Sequence, residues 1–178
     1  PGAFMRRRYY KIPLFVLCLV PFAILVAQAG AQSLGANPVE ELLHRSGSWV
    51  LRFLLLTLAV TPLRLLSGWG ELLHARRMLG LFAFFYATLH FSIYAVLDLG
   101  LDLSFLAEDI AERPYLTVGF TAWLLLVPLA ATSTRSMMRR LGRRWKQLHR
   151  LVYAVAVLGV LHFYWLVKAD VREPLIYA

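Results

Sequence analysis

The segment MLGLFAFFYATLHFSIYAVL, residues 78–97, runs for 20 residues without a charged side chain. A helix of this length measures about 30 Å at 1.5 Å per residue, which matches the hydrocarbon core of a bilayer. Similar apolar runs cover residues 12–29, 49–66, 114–134 and 151–167. Arg52 and Arg64 interrupt the 49–66 run near its ends, where long side chains can reach the membrane interface. Because lipid leaves no partner for an unpaired backbone, we predict five transmembrane α-helices and an all-α, polytopic membrane helix bundle.

Composition supports a membrane protein and excludes several other classes. The 178 residues are 60% hydrophobic and only 16% charged, against about 45–50% and about 25% in soluble domains. Disordered chains are poor in apolar residues, so disorder is excluded. Cys18 is the only cysteine, which excludes a disulfide scaffold, a zinc ribbon and an iron–sulfur ferredoxin.

The first apolar run has two interpretations. Arg6–Arg8, the apolar stretch and then Ala27-Gln28-Ala29 are typical of a cleavable signal peptide. The stretch is long for that role and four more runs follow, so we favour an uncleaved first helix. We therefore expect a cytoplasmic N-terminus over residues 1–11, with 1–4 as a non-native extension, and one transmembrane domain over residues 12–178.

Charge asymmetry predicts the orientation. On one side of the predicted helices lie 14 of the 19 basic residues, in the N-terminus, the loop after the second run and the loop after the fourth. Nine of the ten acidic residues lie on the other side. The positive-inside rule then places the N-terminus in the cytoplasm, and it explains the net charge of +9 without nucleic-acid binding.

Two histidines fall inside the apolar runs and are the main functional candidates. His90 lies about 18 Å and His162 about 21 Å from the cytoplasmic ends of their helices, at the helical rise per residue. Two imidazoles at nearly equal depth suit a ligand clamped from both sides. Zinc usually takes three or four protein ligands, whereas haem iron needs two axial ones. A histidine that only hydrogen-bonds between helices is the alternative for each of them.

Three further residues are weaker candidates. His149 precedes His162 by 13 residues, about 140° around an ideal helix, so it would serve a second cofactor only if the fifth helix bends or starts irregularly there. It could equally be a basic interfacial residue. Arg76 and Arg77 occupy the matching depth on the third helix. Arginine would suit a haem propionate or a flavin phosphate, and a positive-inside anchor is the alternative.

At these residues the chain resembles a known family. The matching segments are LGANPVEELLHRSG from Leu34, LRFLLLTLAVTPLR from Leu51, RRMLGLFAFFYATLHF from Arg76, RPYLTVG from Arg113, LGRRWKQLHRLVYAVAVLGVLHFYWLVK from Leu141 and PLIYA from Pro174. They resemble the MsrQ (YedZ) family, the haem-binding membrane subunits of bacterial periplasmic protein-methionine-sulfoxide reductase systems, within the ferric-reductase-like transmembrane domains. The LH of the third helix and the LHRLVY…LH pattern of the fifth make the resemblance specific.

The resemblance implies a six-helix bundle in the inner membrane that holds b-type haem. Its metal ligands would be His90 and His162, with His149 as a third haem-associated histidine. Electrons would pass from quinol or a cytosolic flavin reductase to the molybdopterin partner MsrP, which carries the methionine sulfoxide site. Flavin mononucleotide is also associated with the family, and Arg76, Arg77 and the region 139–150 are where it would bind.

Two departures from the superfamily pattern bear on these expectations. The superfamily often has four histidines for two haems, and one is replaced here around Arg76–Arg77, which argues for one haem over two. The sixth helix is missing, and Pro174–Ala178 is interpreted as its opening.

Two other classes of function stay open on sequence alone. A small transporter or channel without haem is one, although we see no internal repeat and no acidic residue inside the apolar runs. A structural membrane subunit is the other, and it would leave the two intramembrane histidines unexplained.

Overall fold

The computed structural model describes residues 11–70 and 72–176, and for His74, Leu103 and residues 167–176 it describes the backbone alone. The helices are α1 (Lys11–Gly30), α2 (Pro38–Ser67), α3 (Leu72–Ile93), α4 (Leu103–Glu112), α5 (Pro114–Ala131), α6 (Arg135–Leu141), α7 (Arg143–Leu148) and α8 (Leu151–Ile176). A π-helical segment, Tyr94–Asp98, follows α3. Within the described ranges every regular element is helical, which confirms the predicted all-α class.

Five stretches are long and apolar enough to cross a membrane, as predicted: Lys11–Gly30, Pro38–Ser67, Ala75–Asp98, Pro114–Ala131 and Arg143–Leu166. Large apolar side chains on these helices are exposed, for example Ile12, Leu17 and Val157, each by about two thirds. Such surface is normal against lipid and unfavourable against water. The chain is therefore a multi-pass membrane protein.

The chain divides into two compact units, Pro1–Ile93 and Tyr94–Ala178, each built around one helix pair. In the first unit α2 packs on α3, and in the second α5 packs on α8. The prediction of a single domain over residues 12–178 stays a prediction, and residues 1–10 of the predicted cytoplasmic N-terminus lie outside the described residues.

Stacked aromatic rings fill the first helix pair. Phe53 of α2 stacks on Tyr86 of α3, with ring centroids 5.0 Å apart and planes within 13°. The Tyr86 hydroxyl accepts the Phe22 N–H and donates to the Cys18 carbonyl, both at 2.9 Å. Those two groups would bond to each other in a regular helix, so the phenol is inserted into the backbone ladder of α1, next to Pro21. This insertion fixes α1 against α3.

The second helix starts earlier than the apolar pattern predicts. Asn37 caps α2 by accepting the backbone N–H of Glu40, and Pro38 occupies the first helical position, where its missing N–H costs nothing. Arg52 therefore lies in the interior of a 30-residue helix instead of near an end, and its guanidinium sits 4.6 Å from the Trp49 ring centroid. His44, which precedes the apolar run 49–66, is part of α2.

A polar corner opens the second unit. The Tyr94 hydroxyl donates to the Asp109 carboxylate at 2.8 Å, and the Arg113 guanidinium lies 3.3 Å from the same carboxylate. Arg113 also donates to the Tyr115 hydroxyl at 3.5 Å, and this hydrogen bond raises the pKa of Arg113. The corner ties the π-helical segment to α4 and to the start of α5. Residues 98–113, expected to be a loop, thus contain a helix.

The last candidate span, Arg143–Leu166, is not one continuous helix. α7 ends at Leu148, and the His149 N–H bonds back to the Trp145 carbonyl at 3.0 Å before α8 begins at Leu151. The irregular start that a role for His149 required is therefore present. Residues 174–176, interpreted from sequence as the opening of a further segment, continue α8.

We predict that Asp102→Ala lowers the melting temperature of the detergent-purified protein at neutral pH. The Asp102 carboxylate caps α4 by accepting the backbone N–H groups of Ser104 and Phe105. Hydrogen bonds, first from the Ser104 side chain, lower the pKa of Asp102. The ionised cap therefore stabilises the protein fully above the unfolded carboxyl pKa of about 3.9, and this stabilisation is lost as pH falls through the lower folded-state pKa. The difference in melting temperature between Asp102→Ala and wild type should shrink in acid.

The matched control is Glu108→Ala, which removes an exposed carboxylate from the same helix away from the cap. Thermal unfolding of the three proteins at neutral and acid pH gives the comparison. Equal melting temperatures for Asp102→Ala and wild type at neutral pH would show that the cap does not stabilise α4.

Candidate functional site

His90 projects from α3 towards the first turns of α2. Its Nδ1 lies 3.1 Å from the Leu43 carbonyl oxygen and 3.1 Å from the Ser46 hydroxyl oxygen. The ring also lies over Gly47, where an added Cβ would come within 3.2 Å of Cε1. A carbonyl oxygen can only accept a hydrogen bond, so a contact of this length means that Nδ1 of His90 carries the proton. The lone pair of the ring is then on Nε2.

His162 projects from α8 towards the first turns of α5 in the same way. Its Nδ1 lies 2.7 Å from the Tyr115 carbonyl oxygen. The ring lies over Gly119 more closely than in the first unit, since an added Cβ would come within 2.7 Å of Nδ1. The lone pair again belongs to Nε2.

The two histidines thus share one local design. In each unit the histidine follows its carbonyl partner by 47 residues, and a glycine stands four residues after that carbonyl. In a helix, a side chain covers the turn that precedes its own Cα. A side chain four residues after the carbonyl would therefore cover that carbonyl. Gly47 and Gly119 leave the Leu43 and Tyr115 carbonyls open to the ring.

This design is the usual support for a metal-binding imidazole. Histidines that bind metals through one ring nitrogen nearly always donate the other N–H to a carbonyl or carboxylate, which fixes the tautomer and the ring orientation. The donor set is therefore compatible with haem iron, which takes imidazole as an axial ligand. Because Gly47 and Gly119 have no Cβ, each histidine ring has the space it needs next to the helix backbone.

His149 has a different environment. Its Nε2, not its Nδ1, contacts the Thr132 hydroxyl oxygen at 3.0 Å, and its ring stacks on Trp145 with centroids 4.0 Å apart. The Trp145 indole N–H donates to the Thr132 carbonyl at 3.0 Å, so the end of α5 and the α7–α8 junction are joined. The nitrogen that carries the lone pair in His90 and His162 is the one that contacts a side chain here.

The two candidate arginines also differ in their environments. Arg76 donates to the Thr61 hydroxyl at 3.2 Å and is half-buried against α2, whereas Arg77 is exposed. Both belong to the first unit, and the basic segment 139–150 belongs to the second. Arg76 thus has a hydroxyl partner on a neighbouring helix, as His149 has in its unit.

Sequence reasoning missed the partners of the histidines: Leu43, Ser46 and Gly47 in one unit and Tyr115 and Gly119 in the other. A signal was present, because a glycine precedes each intramembrane histidine by 43 residues. The expectation of no internal repeat was therefore incomplete, since the two units repeat a local arrangement. A leucine precedes and a phenylalanine follows both histidines, whereas the residues next to the two glycines differ.

Comparison with known proteins gives many relatives, and three of them illustrate the match. Each carries the name protein-methionine-sulfoxide reductase heme-binding subunit MsrQ. The relative from Xanthomonas oryzae pv. oryzae (strain MAFF 311018) is 56% identical over 166 residues, covering 90% of this chain and 76% of the relative. The relative from Xanthomonas campestris pv. campestris (strain 8004) is 55% identical over 174 residues, covering 94% and 80%. The relative from Ralstonia nicotianae (strain ATCC BAA-1114 / GMI1000) is 52% identical over 174 residues, covering 96% and 80%.

A family-level comparison agrees with these relatives. Residues 46–160 match the family described as ferric reductase like transmembrane component. No solved structure matches the chain. The matched range contains His90 and His149 and ends just before His162.

We predict that Gly119→Ala destabilises the protein by about 1–3 kcal/mol, the usual cost of overpacking a filled site. The new methyl group would meet His162 at 2.7 Å from Nδ1 and push the ring from the Tyr115 carbonyl. Gly47→Ala should cost less, because its closest approach to His90 is 3.2 Å. Urea or thermal unfolding in detergent measures the difference.

Gly80→Ala is the matched control. It changes a helical glycine whose new methyl group would meet only Thr57, at an ordinary 3.5 Å. Alanine favours helix over glycine, so this variant should be as stable as wild type or more stable. A Gly119→Ala variant as stable as Gly80→Ala would contradict the close approach of the His162 ring.

Proposed function

Because the chain belongs to the MsrQ family of ferric-reductase-like transmembrane proteins, we propose that it is the haem-binding membrane subunit of a protein-methionine-sulfoxide reductase system. The observation that carries this proposal is the paired support of His90 and His162, each held through Nδ1 by a helix carbonyl. The names of the relatives supply the cofactor class, and the geometry of the two histidines supplies residues suited to it.

The proposed cofactor is one haem b, which His90 and His162 would hold. Its iron would supply a reversible one-electron change. The chain has one cysteine and no CxxCH sequence, so the haem would be bound non-covalently. Each histidine presents Nε2 as its lone-pair nitrogen, since a carbonyl accepts the Nδ1 proton. Ligation by two histidines would leave no open position at iron, which suits electron transfer better than oxygen activation.

We assign a secondary role to His149. Its Nε2 contacts Thr132 and its ring stacks on Trp145, so ligation through Nε2 would require that contact to be exchanged. Together with an arginine at the matching depth on α3, this supports one haem over two. His149 would then be haem-associated through packing and hydrogen bonding.

The proposed electron path runs outward across the inner membrane. The positive-inside rule supports a cytoplasmic N-terminus, with α3 and α8 both running outward. Electrons would enter from quinol or a cytosolic flavin reductase and leave to MsrP, the periplasmic molybdopterin subunit. On this proposal the chain itself does not carry the methionine sulfoxide site.

The proposal also includes a flavin mononucleotide site at exposed basic side chains. Arg77 and the basic segment 139–150 supply exposed guanidinium groups that could pair with a phosphate. Arg76 is half-buried and already donates to Thr61, so we place it in helix packing first. Haem propionates remain the other partner for these arginines.

Transport without haem is the alternative function. One argument against it was the lack of a repeat, and the repeated histidine arrangement removes that argument. Membership of the family is therefore the reason to prefer haem binding over transport, because the relatives are named as haem-binding subunits.

We predict that His90→Ala and His162→Ala each abolish bound haem while the protein still inserts into the membrane. Either change removes one axial ligand and leaves the bundle's apolar surface intact. The measurement is a pyridine hemochrome count on the detergent-purified variants, with an absorption spectrum before and after dithionite. His149→Ala should retain about the wild-type haem content if one haem is bound.

His44→Ala is the control, because His44 is a half-exposed histidine on α2 whose Nε2 lies 4.0 Å from Glu40. It should keep the full haem content. Haem retained at wild-type level in both His90→Ala and His162→Ala would contradict the ligand assignment. Haem-free wild-type protein, expressed with ample haem, would shift the choice to transport.

A further inference from the structure

Ser46 distinguishes the two otherwise matched histidine sites. Its hydroxyl group is fully buried and donates to the Leu43 carbonyl at 3.1 Å. The same oxygen lies 3.1 Å from Nδ1 of His90. The Leu43 carbonyl oxygen, the Ser46 oxygen and the His90 Nδ1 thus form a triangle in which each pair of atoms is 3.1 Å apart.

The second unit has no hydroxyl at the equivalent position. Three residues after Tyr115, one residue before Gly119, the chain has Val118. There the His162 Nδ1 approaches its carbonyl at 2.7 Å, against 3.1 Å for His90 and Leu43. The Nδ1 of His162 thus makes a short contact with a carbonyl, whereas the Nδ1 of His90 makes two longer contacts, one with a carbonyl and one with a hydroxyl.

The acceptor capacity of the Leu43 carbonyl explains why Ser46 matters. A carbonyl oxygen has two lone pairs, and one of them is used by the helix N–H four residues on. The Ser46 hydroxyl donates its proton to this oxygen, so towards the Nδ1–H of His90 the Ser46 oxygen acts as an acceptor. The lone pairs of the Ser46 oxygen supply a second acceptor at equal distance.

We propose that Ser46 is a positioning residue that makes the two axial ligands of the haem unequal and lowers its reduction potential from the His90 side. This inference rests on the haem ligation proposed above. An acceptor at Nδ1 increases the electron donation of the imidazole through Nε2 and so favours the oxidised iron. Loss of the Ser46 hydroxyl therefore raises the potential, and a hydroxyl at position 118 lowers it.

The test compares the midpoint potentials of haem in wild type, Ser46→Ala and Val118→Thr, by redox titration of the detergent-purified proteins. Both substitutions nearly conserve volume and change one hydroxyl. At the wild-type midpoint potential, Ser46→Ala should shift the ratio of oxidised to reduced haem towards reduced by up to about fivefold, the scale of one neutral hydrogen bond. Val118→Thr should shift it in the opposite direction.

Ser92→Ala is the matched control. Its hydroxyl lies two residues after His90 on α3 but donates to the Thr88 carbonyl at 2.7 Å on the exposed side. It should leave the potential unchanged. Equal potentials for wild type, Ser46→Ala and Ser92→Ala, with haem retained, would overturn the inference and leave the proposed function standing.

Two further outcomes are informative. If Ser46→Ala loses its haem, the Val118→Thr potential decides: a lower potential supports the role of the hydroxyl, and an unchanged one overturns it. Wild-type protein without haem would overturn both the ligation and this inference, and that failure is visible in the wild-type spectrum before any variant is made.

Discussion

Access of an imidazole N–H to a carbonyl inside a transmembrane helix is the constraint on which this site depends. Helix carbonyls are already bonded along the chain and are covered by the side chain one turn on. A glycine at that position uncovers the carbonyl, and Gly47 and Gly119 do so for Leu43 and Tyr115. A carbonyl uncovered in this way can accept the Nδ1 proton of a histidine and fix the orientation of its ring.

The rest of each unit holds the helix that carries the carbonyl. In the first unit the stack of Phe53 on Tyr86 joins α2 to α3, and the same Tyr86 hydroxyl holds α1. In the second unit the Asp109–Arg113 corner fixes the start of α5, two residues before Tyr115. Small changes in these contacts would move a carbonyl relative to its histidine, so the site depends on packing well beyond its own residues.

Sequence alone predicted the five candidate spans, which the structure confirms, and it pointed to His90 and His162 as candidates. Apolar runs predict spans because lipid excludes charge, and this physical rule holds for each of the five helices. The start of α2 was missed because an acidic first turn and the capping Asn37 look like a loop when only hydrophobicity is scored. α4 was missed for the same reason, since it is short and amphipathic.

The partners of the histidines lay beyond the reach of the sequence interpretation. Periodicity says which residues share a helix face, but not which carbonyl a ring on another helix will meet. Gly47 and Gly119 were visible only as small residues, which membrane helices use widely for close packing. The difference between Ser46 and Val118 gains meaning only after the two sites are superposed by their carbonyl and glycine positions.

The central proposal is that His90 and His162 would together hold one haem, and the electron paramagnetic resonance spectrum of the oxidised, detergent-purified protein tests it most directly. The account predicts a low-spin ferric signal typical of two imidazole ligands, amounting to about one spin per chain. A high-spin ferric signal as the main species would contradict it, because an open or weakly held iron position cannot arise from two carbonyl-supported histidines.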